Sequence, residues 1–125
     1  MTNKLITPAL AEAFKHFPLY SQGGRQKEAV CVCAFSMANI RWYVLEGQPE
    51  CDDFTIYAIV VGMVETEYGY ASINEMESIT IDAIRYGLGS LHIEEDKRFA
   101  MKPLREIADP RCRSFFLNFM DVIKQ

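Results

Sequence analysis

Two runs in this chain, Ala29 to Phe35 and Phe54 to Val64, are apolar on both faces of an extended strand. A strand at a one-sided sheet surface alternates apolar with polar residues. Runs without that alternation belong to a sheet covered on both sides. The first run would place Cys31, Cys33 and Phe35 on one face and Val30, Val32 and Ala34 on the other. The second is the longest strand candidate, with Gly62 as a candidate bulge. Ile40 to Glu46 returns antiparallel after a turn at Ser36 to Asn39, and Gly47-Gln48-Pro49 with Asp52-Asp53 marks the following turn.

A strand-to-helix turn follows, from Glu67 to Ile79. Tyr68 and Tyr70 share a strand face, with Gly69 opposite, where another backbone can approach. Ser72 and Glu75 form an S-x-x-E capping box, and Ile73, Met76 and Ile79 recur at helical spacing toward a core. Thr7-Pro8 opens an earlier helix, striped by Leu10, Phe14 and Phe17 and ended by Pro18. Asp109-Pro110 repeats that start near the C-terminus, where Cys112, Phe116, Phe119 and Ile123 form a stripe widened by Phe115 and Met120. Ile81, Ala83 and Ile84 extend the middle helix or form an edge segment, Gly87-Leu88-Gly89 is loop, and Ile93 to Arg98 is a charged, exposed stretch.

These signals predict an α+β fold: a mostly antiparallel sheet of about four strands, flanked by N- and C-terminal helices, with one short capped helix after the last strand. The 125 residues make one domain, large enough for a core without staples. Helices from the two ends could cover both faces of the sheet. If both pack on one face, the other needs a second copy, so a homodimer is an expectation. A net charge of −4 argues against nucleic acid as partner, since a basic stripe is its footprint. No apolar run reaches the length of a membrane span, and Lys4, Pro8, Glu12 and Lys15 interrupt any leader-like core, so a cytoplasmic location is expected.

In that compartment the four cysteines are expected to be reduced, and Cys31-x-Cys33 reads as small buried hydrophobes rather than the start of a metal site. His16 falls outside the first helix's stripe, and His92 adjoins Glu94, Glu95 and Asp96, an exposed position beside charges. Glu65, Glu67, Glu75 and Glu77 gather around the central turn, with Asp52 and Asp53 elsewhere, and read as caps, dipole partners and strand-edge solvation before acid–base or cation chemistry. Gly23-Gly24-Arg25-Gln26-Lys27 lacks the phosphate-loop pattern. Arg25, Lys27 and Arg41 are the cations a nucleic-acid reading would need. Arg41, Trp42, Tyr43, Glu46, Glu67, Tyr68 and Tyr70 are the binding candidates, because arginine, tryptophan and tyrosine dominate contact hot spots. Core packing is the competing account of Trp42, which a strand places opposite Arg41 and Tyr43. No catalytic set, metal or cofactor follows from any spacing.

Several pieces also carry a resemblance: Lys4-Leu5-Ile6-Thr7-Pro8, Pro18 to Gln22, Trp42-Tyr43-Val44 with Glu46, Glu67 to Ser72 leading into Glu75-Met76-Glu77, and Gly89 through Ile93 to Asp96. In order and spacing the chain resembles a bacterial family catalogued as domain of unknown function twenty-nine fifty-eight. The likeness spans about residues 4–107, with 109–124 as a helical extension. Ser36 to Asn39 stands where the family has a glycine-rich turn, and Glu95 where it tends to carry arginine. The resemblance implies a setting on conjugative plasmids, integrated elements or phages, near antirestriction and transfer genes, and no mechanism. The expected function is therefore that of a non-enzymatic accessory protein acting by protein–protein contact, with counter-defence as one form of it. The alternative is a small ligand-binding or enzymatic domain with a carboxylate and tyrosine pocket around Glu67, Tyr68 and Tyr70.

Overall fold

The computed structural model describes residues 4–63, 65–82, 87 and 89–115. Helix α1 (Pro8–Phe14) starts as its chemistry dictates: Thr7 Oγ1 accepts the Leu10 N–H at 3.2 Å, and Pro8 fills the first position. It stops before Pro18. The N–H groups of Lys15, His16 and Phe17 donate three residues back, to Glu12, Ala13 and Phe14, which tightens the chain out of the α-helix. Leu10 and Phe14 are buried, Phe17 packs beside them, and His16 is exposed.

The apolar run from residue 29 is not one strand. It divides into β1 (Val30–Cys31) and β2 (Cys33–Met37), and Val32 between them donates to the Val44 carbonyl at 2.8 Å. The interruption cancels the expected alternation. Cys31 packs with Ala29, Leu104 and Cys112, while Cys33 packs with Phe35 and Val44 in the other cluster. Two long strands follow, β3 (Ile40–Glu50) and β4 (Asp53–Val61), then β5 (Glu67–Ser72). Gly47-Gln48-Pro49 lies inside β3, and the reversal falls at Cys51-Asp52, with Cys51 at φ +56°. Gly62 terminates β4 and does not bulge it. At φ +94° it adopts a conformation that favours glycine, and a Cβ there would collide with the Asn39 carbonyl oxygen.

Helix α2 (Ile73–Ser78) begins where Ser72 Oγ accepts the Glu75 N–H at 3.1 Å. Asp53 joins this cap, accepting the Asn74 N–H at 3.0 Å and a hydrogen bond from Ser72 Oγ. Ile73 and Met76 are buried as the helical spacing predicts. Ile79 is not, because the helix has ended and the backbone there is extended. Strands β6 (Thr80–Asp82) and β7 (Ser90–His92) pair with each other, so Ile81 lies in an edge segment. Ala83 and Ile84 lie outside the described residues. The charged stretch after His92 is part of the sheet. Ile93 is buried, and β8 (Glu94–Glu95) pairs with β2 through Phe35 and Ser36. A final strand, β9 (Lys102–Pro103), pairs with β1, and α3 (Pro110–Phe115) starts where Asp109 Oδ1 accepts the Arg111 N–H at 3.0 Å.

The architecture is α+β. Among the described residues its main sheet has five strands in the order β5-β4-β3-β2-β8, every neighbour antiparallel, one more than the sequence suggests. On one face Phe35, Trp42, Val44, Phe54 and Ile56 pack with Leu10 and Phe14 of α1 and Ile73 and Met76 of α2. On the other, Ala34, Tyr43, Leu45, Ile59 and Val61 pack with Leu104, Ile107 and Cys112. Helix α1 and the start of α3 therefore serve opposite faces, so the arrangement that would call for a homodimer, both helices on one face, does not hold for the described residues. Phe116, Phe119, Met120 and Ile123 lie outside the described residues.

Candidate functional site

The register of β3 against β4 creates the site. Val44 pairs with Ala58, but Glu46 pairs with Tyr57, so Leu45 is an extra residue in a β-bulge. Simple alternation would put Glu46 on the face of Trp42 and Val44. The bulge instead turns both Leu45 and Glu46 toward the second face and leaves Gly47 opposite Ile56, under α1. Glycine is required there. An added Cβ would come within 2.7 Å of Phe54 Cε1 and 3.1 Å of Phe14 Cδ1.

Glu46 is 4 % exposed, and its carboxylate organises the loop after Pro18. Oε1 accepts the Tyr20 N–H at 2.7 Å and Oε2 the Gln22 N–H at 2.8 Å. Gln22, also buried, continues inward: its Nε2 donates to the carbonyls of Leu45 (2.6 Å) and Val30 (2.8 Å), and its Oε1 accepts the Val30 N–H at 2.5 Å. These two side chains take the place that a backbone ladder would fill between the loop and the sheet. Tyr20 ends at φ +71° with its side chain 76 % exposed.

Beside this loop stands a row of tyrosines. Tyr57 of β4 lies opposite Tyr70 of β5, with ring centroids 4.7 Å apart, and stacks against Tyr68 at 5.3 Å and 7° between planes. Tyr20 reaches Tyr70 from the loop, at 6.2 Å. Burial raises the Tyr57 hydroxyl's pKa, and Tyr70 and Glu46 add to it. Burial likewise raises that of Tyr68, with Tyr57 adding. Between the rings and the loop is a recess of about 190 Å³ lined by Gln22, Gly23, Gly24, Glu46, Tyr57 and Tyr68.

Of the sequence candidates, Glu46, Tyr68 and Tyr70 come together here. Glu67 does not: it pairs with Val60 on the opposite face of β5 and is exposed. Glu77 accepts the Leu5 N–H at 2.9 Å and so holds the N-terminal segment. Gly69 pairs with Ala58 in the sheet, and a Cβ added to it would meet nothing within 4 Å, so no further backbone approaches that face. Trp42 is 7 % exposed in the first core, where the packing account places it. Tyr43 is buried on the second face, and its hydroxyl donates to Asp109 Oδ2 at 2.7 Å while accepting from Arg41 Nε at 3.1 Å. Arg41 also pairs with Asp96 at 2.7 Å, and Arg111 with Asp109 at 2.9 Å. Burial acts to raise the Asp109 carboxyl, but hydrogen bonds from Arg111 and Tyr43 outweigh it and hold the group at about 2. This network ties the start of α3 to the sheet. It is a structural clasp.

A wider groove of about 790 Å³ runs along β8, between Lys4, Leu5, Arg41 and residues 93–98. Its charges of both signs lie side by side, and Asp96 is already engaged by Arg41. The buried thiols offer no nucleophile: desolvation pushes Cys31 and Cys33 well up and Cys112 to about 12. Among the described residues no group of three His, Cys, Asp or Glu side chains is placed to hold a metal ion. Tyr20, Gln22 and Tyr57 are not among the binding candidates the sequence offers, although Pro18 to Gln22 is one of the pieces that carry the resemblance. Tyr57 sits inside an apolar run that reads as core, and nothing local announces the bulge that brings Glu46 to it.

The fold and the site together define a small α+β domain with a tyrosine-rich surface braced by a buried carboxylate. Comparison with protein-family models, with curated proteins and with solved structures finds no match to this chain. No helix among the described residues is long and apolar enough to cross a membrane.

Proposed function

We propose that the protein is a non-enzymatic accessory protein of a mobile genetic element that works by protein–protein contact, and that the tyrosine surface beside Glu46 is its contact face. The observation that carries this reading is the exposure of Tyr20 (76 %) and Tyr70 (55 %) within one aromatic cluster on an otherwise self-covered sheet. Tyrosine supplies large contact area at low entropic cost, and clusters of it mark binding hot spots. The mobile-element setting rests on the family resemblance, and counter-defence, by blocking a host restriction or CRISPR effector, is the form of contact that this setting favours. The reading places the protein in the cytoplasm of a bacterial host.

A ligand pocket is the second reading, and the recess beside Tyr57 and Tyr68 is what favours it. Its volume of about 190 Å³ is below the roughly 300–1,000 Å³ of small-molecule sites. Both carboxylate oxygens of Glu46 already accept backbone N–H groups, which suits a brace better than a general base.

The test is a photo-cross-linking amino acid placed at Tyr70 and, as a control, at exposed His16. Expressed in a bacterial host, the Tyr70 position is expected to give a discrete heterologous cross-link that the His16 position does not. Equal products from both positions, or none from Tyr70, would remove the contact reading.

A further inference from the structure

The two outer strands of the main sheet are guarded very differently. Strand β8 is two residues long and both are glutamate, which blunts it as a template for another chain. Strand β5, at the other end of the sheet, is six residues long and in unbroken register with β4. It contains no proline and no lysine, and its one charge, Glu67, stands at its start. Among the described residues no backbone hydrogen bond joins Gly69, Tyr70 or Ala71 to any segment but β4. A single antiparallel neighbour uses one side of a strand, so the N–H and C=O groups pointing away from β4 form an open ladder. The faces beside that ladder are unlike. Tyr70, 55 % exposed, stands on one, and on the other a Cβ at Gly69 would meet nothing within 4 Å. Glu67, two residues before Gly69 on the strand, shares the glycine's face.

We infer that β5 receives an extended, basic segment of the protein partner, added as a further strand of the main sheet. The inference rests on the contact reading and names how the partner attaches. Charge selects the occupant. Between Arg41 and Arg85 every charged residue is Asp or Glu, so β4, β5 and α2 carry no cation. Glu65, Glu67 and Glu75 flank the open ladder, are exposed, and enter none of the ion pairs among the described residues. A lysine or arginine placed opposite Gly69 lies over the space the glycine leaves and reaches Glu67 on the diagonal. A β-branched or aromatic residue beside it packs on Tyr70. A second copy is a poor occupant. Antiparallel pairing of two β5 strands sets the Glu65 and Glu67 end of one against the Glu75 end of the other, and like charges across a ladder repel.

The probe is the peptide acetyl-Thr-Lys-Val-Arg-Val-Lys-Thr-amide, whose alternation puts its cations on one strand face and its valines on the other. One comparison carries glutamate in place of each cation. The other is N-methylated at its three central residues, which removes the donors of the ladder. Binding is read from the backbone amide resonances of the protein and from their hydrogen exchange. The basic peptide is expected to shift Gly69, Tyr70 and Ala71 saturably and to slow exchange at the amides that point outward. Binding is weak in absolute terms, because a flexible peptide loses backbone entropy on pairing. The acidic and N-methylated peptides are expected to leave these amides unchanged. Glu67→Gln is expected to weaken binding about threefold. Gly69→Lys puts a cation on the edge and is expected to abolish binding, with the fold intact because its Cβ meets nothing. Equal binding of the acidic or N-methylated peptide would overturn the inference, as would unchanged binding to Gly69→Lys or shifts confined to other strands. Shifts at Gly69 to Ala71 on raising the protein concentration alone would make a second copy the occupant, and the inference wrong. If no peptide binds while the Tyr70 cross-link persists, the contact reading stands and strand addition falls. If the basic peptide adds to β5 but no Tyr70 cross-link forms, the contact reading fails and the partner segment inferred from it fails too.

Discussion

Replacing Glu46 with alanine is expected to destabilise the protein by about 3–5 kcal/mol, because two hydrogen bonds to a buried charge are lost together. The Tyr20 and Gln22 N–H groups lose their acceptors at 2.7 and 2.8 Å, and no other group is placed to replace them among the described contacts. Gln22 in turn anchors the loop to Val30 and Leu45, so the damage extends to the start of the sheet. Glu46→Gln keeps one acceptor and turns an NH₂ toward the other N–H, so a smaller loss is expected. Urea unfolding gives the magnitudes, and hydrogen exchange at the Tyr20 and Gln22 amides locates them. A loss below about 1 kcal/mol for Glu46→Ala would mean that the carboxylate does not brace the loop.

Gly47→Ala carries the second large effect, about 2 kcal/mol, through overpacking. The Phe54 ring lies 2.7 Å from where the new Cβ would stand, and Phe14 closes the other side at 3.1 Å. Both rings are 2 % exposed and locked against each other at 5.5 Å, so neither has space to swing away. The strain is relieved only by lifting α1 from the sheet, and the Gly47 N–H bond to the Phe17 carbonyl, 3.0 Å, then lengthens. Thermal unfolding is the readout. An unchanged midpoint would show that α1 is not seated on β3 as described.

Both effects come from the bulge at Leu45, and the bulge marks where the sequence stops being legible. Local chemistry is readable: Thr7-Pro8, Ser72 and Asp109-Pro110 each open the helix their hydrogen-bonding groups predict. The two-sided apolar runs correctly announce a sheet covered on both faces. Side-chain direction beyond an irregularity is not readable. Leu45 is an unremarkable apolar residue in an apolar strand, yet it reverses the facing of Glu46 and Gly47. The ladder break at Val32 does the same to Cys31 and Cys33.

Turn signals also yield to register. Gly47 and Pro49 read as punctuation, but β4 offers partners as far as Glu50, and the reversal moves to Cys51-Asp52. At Ile93 to Arg98 charge outnumbers apolar residues, which hides that one buried isoleucine and a two-residue ladder complete the sheet. Of the candidate site, Tyr68 and Tyr70 were visible as a strand-face pair. Glu46 was visible only as a residue type, and its true neighbours Tyr20, Gln22 and Tyr57 come from the loop and the next strand. Glu67 is next to Tyr68 in sequence, but strand alternation sends it to the other face.

The chain covers both faces of its own sheet, and the proposed function keeps the tyrosine surface for a different protein. Light scattering with native mass spectrometry on the purified protein tests it most directly. The prediction is a monomer of 14.3 kDa across the accessible concentration range, for the wild type and for Tyr70→Glu alike. A dimer that Tyr70→Glu dissociates would contradict the claim, since the tyrosine surface would then belong to a second copy of the chain.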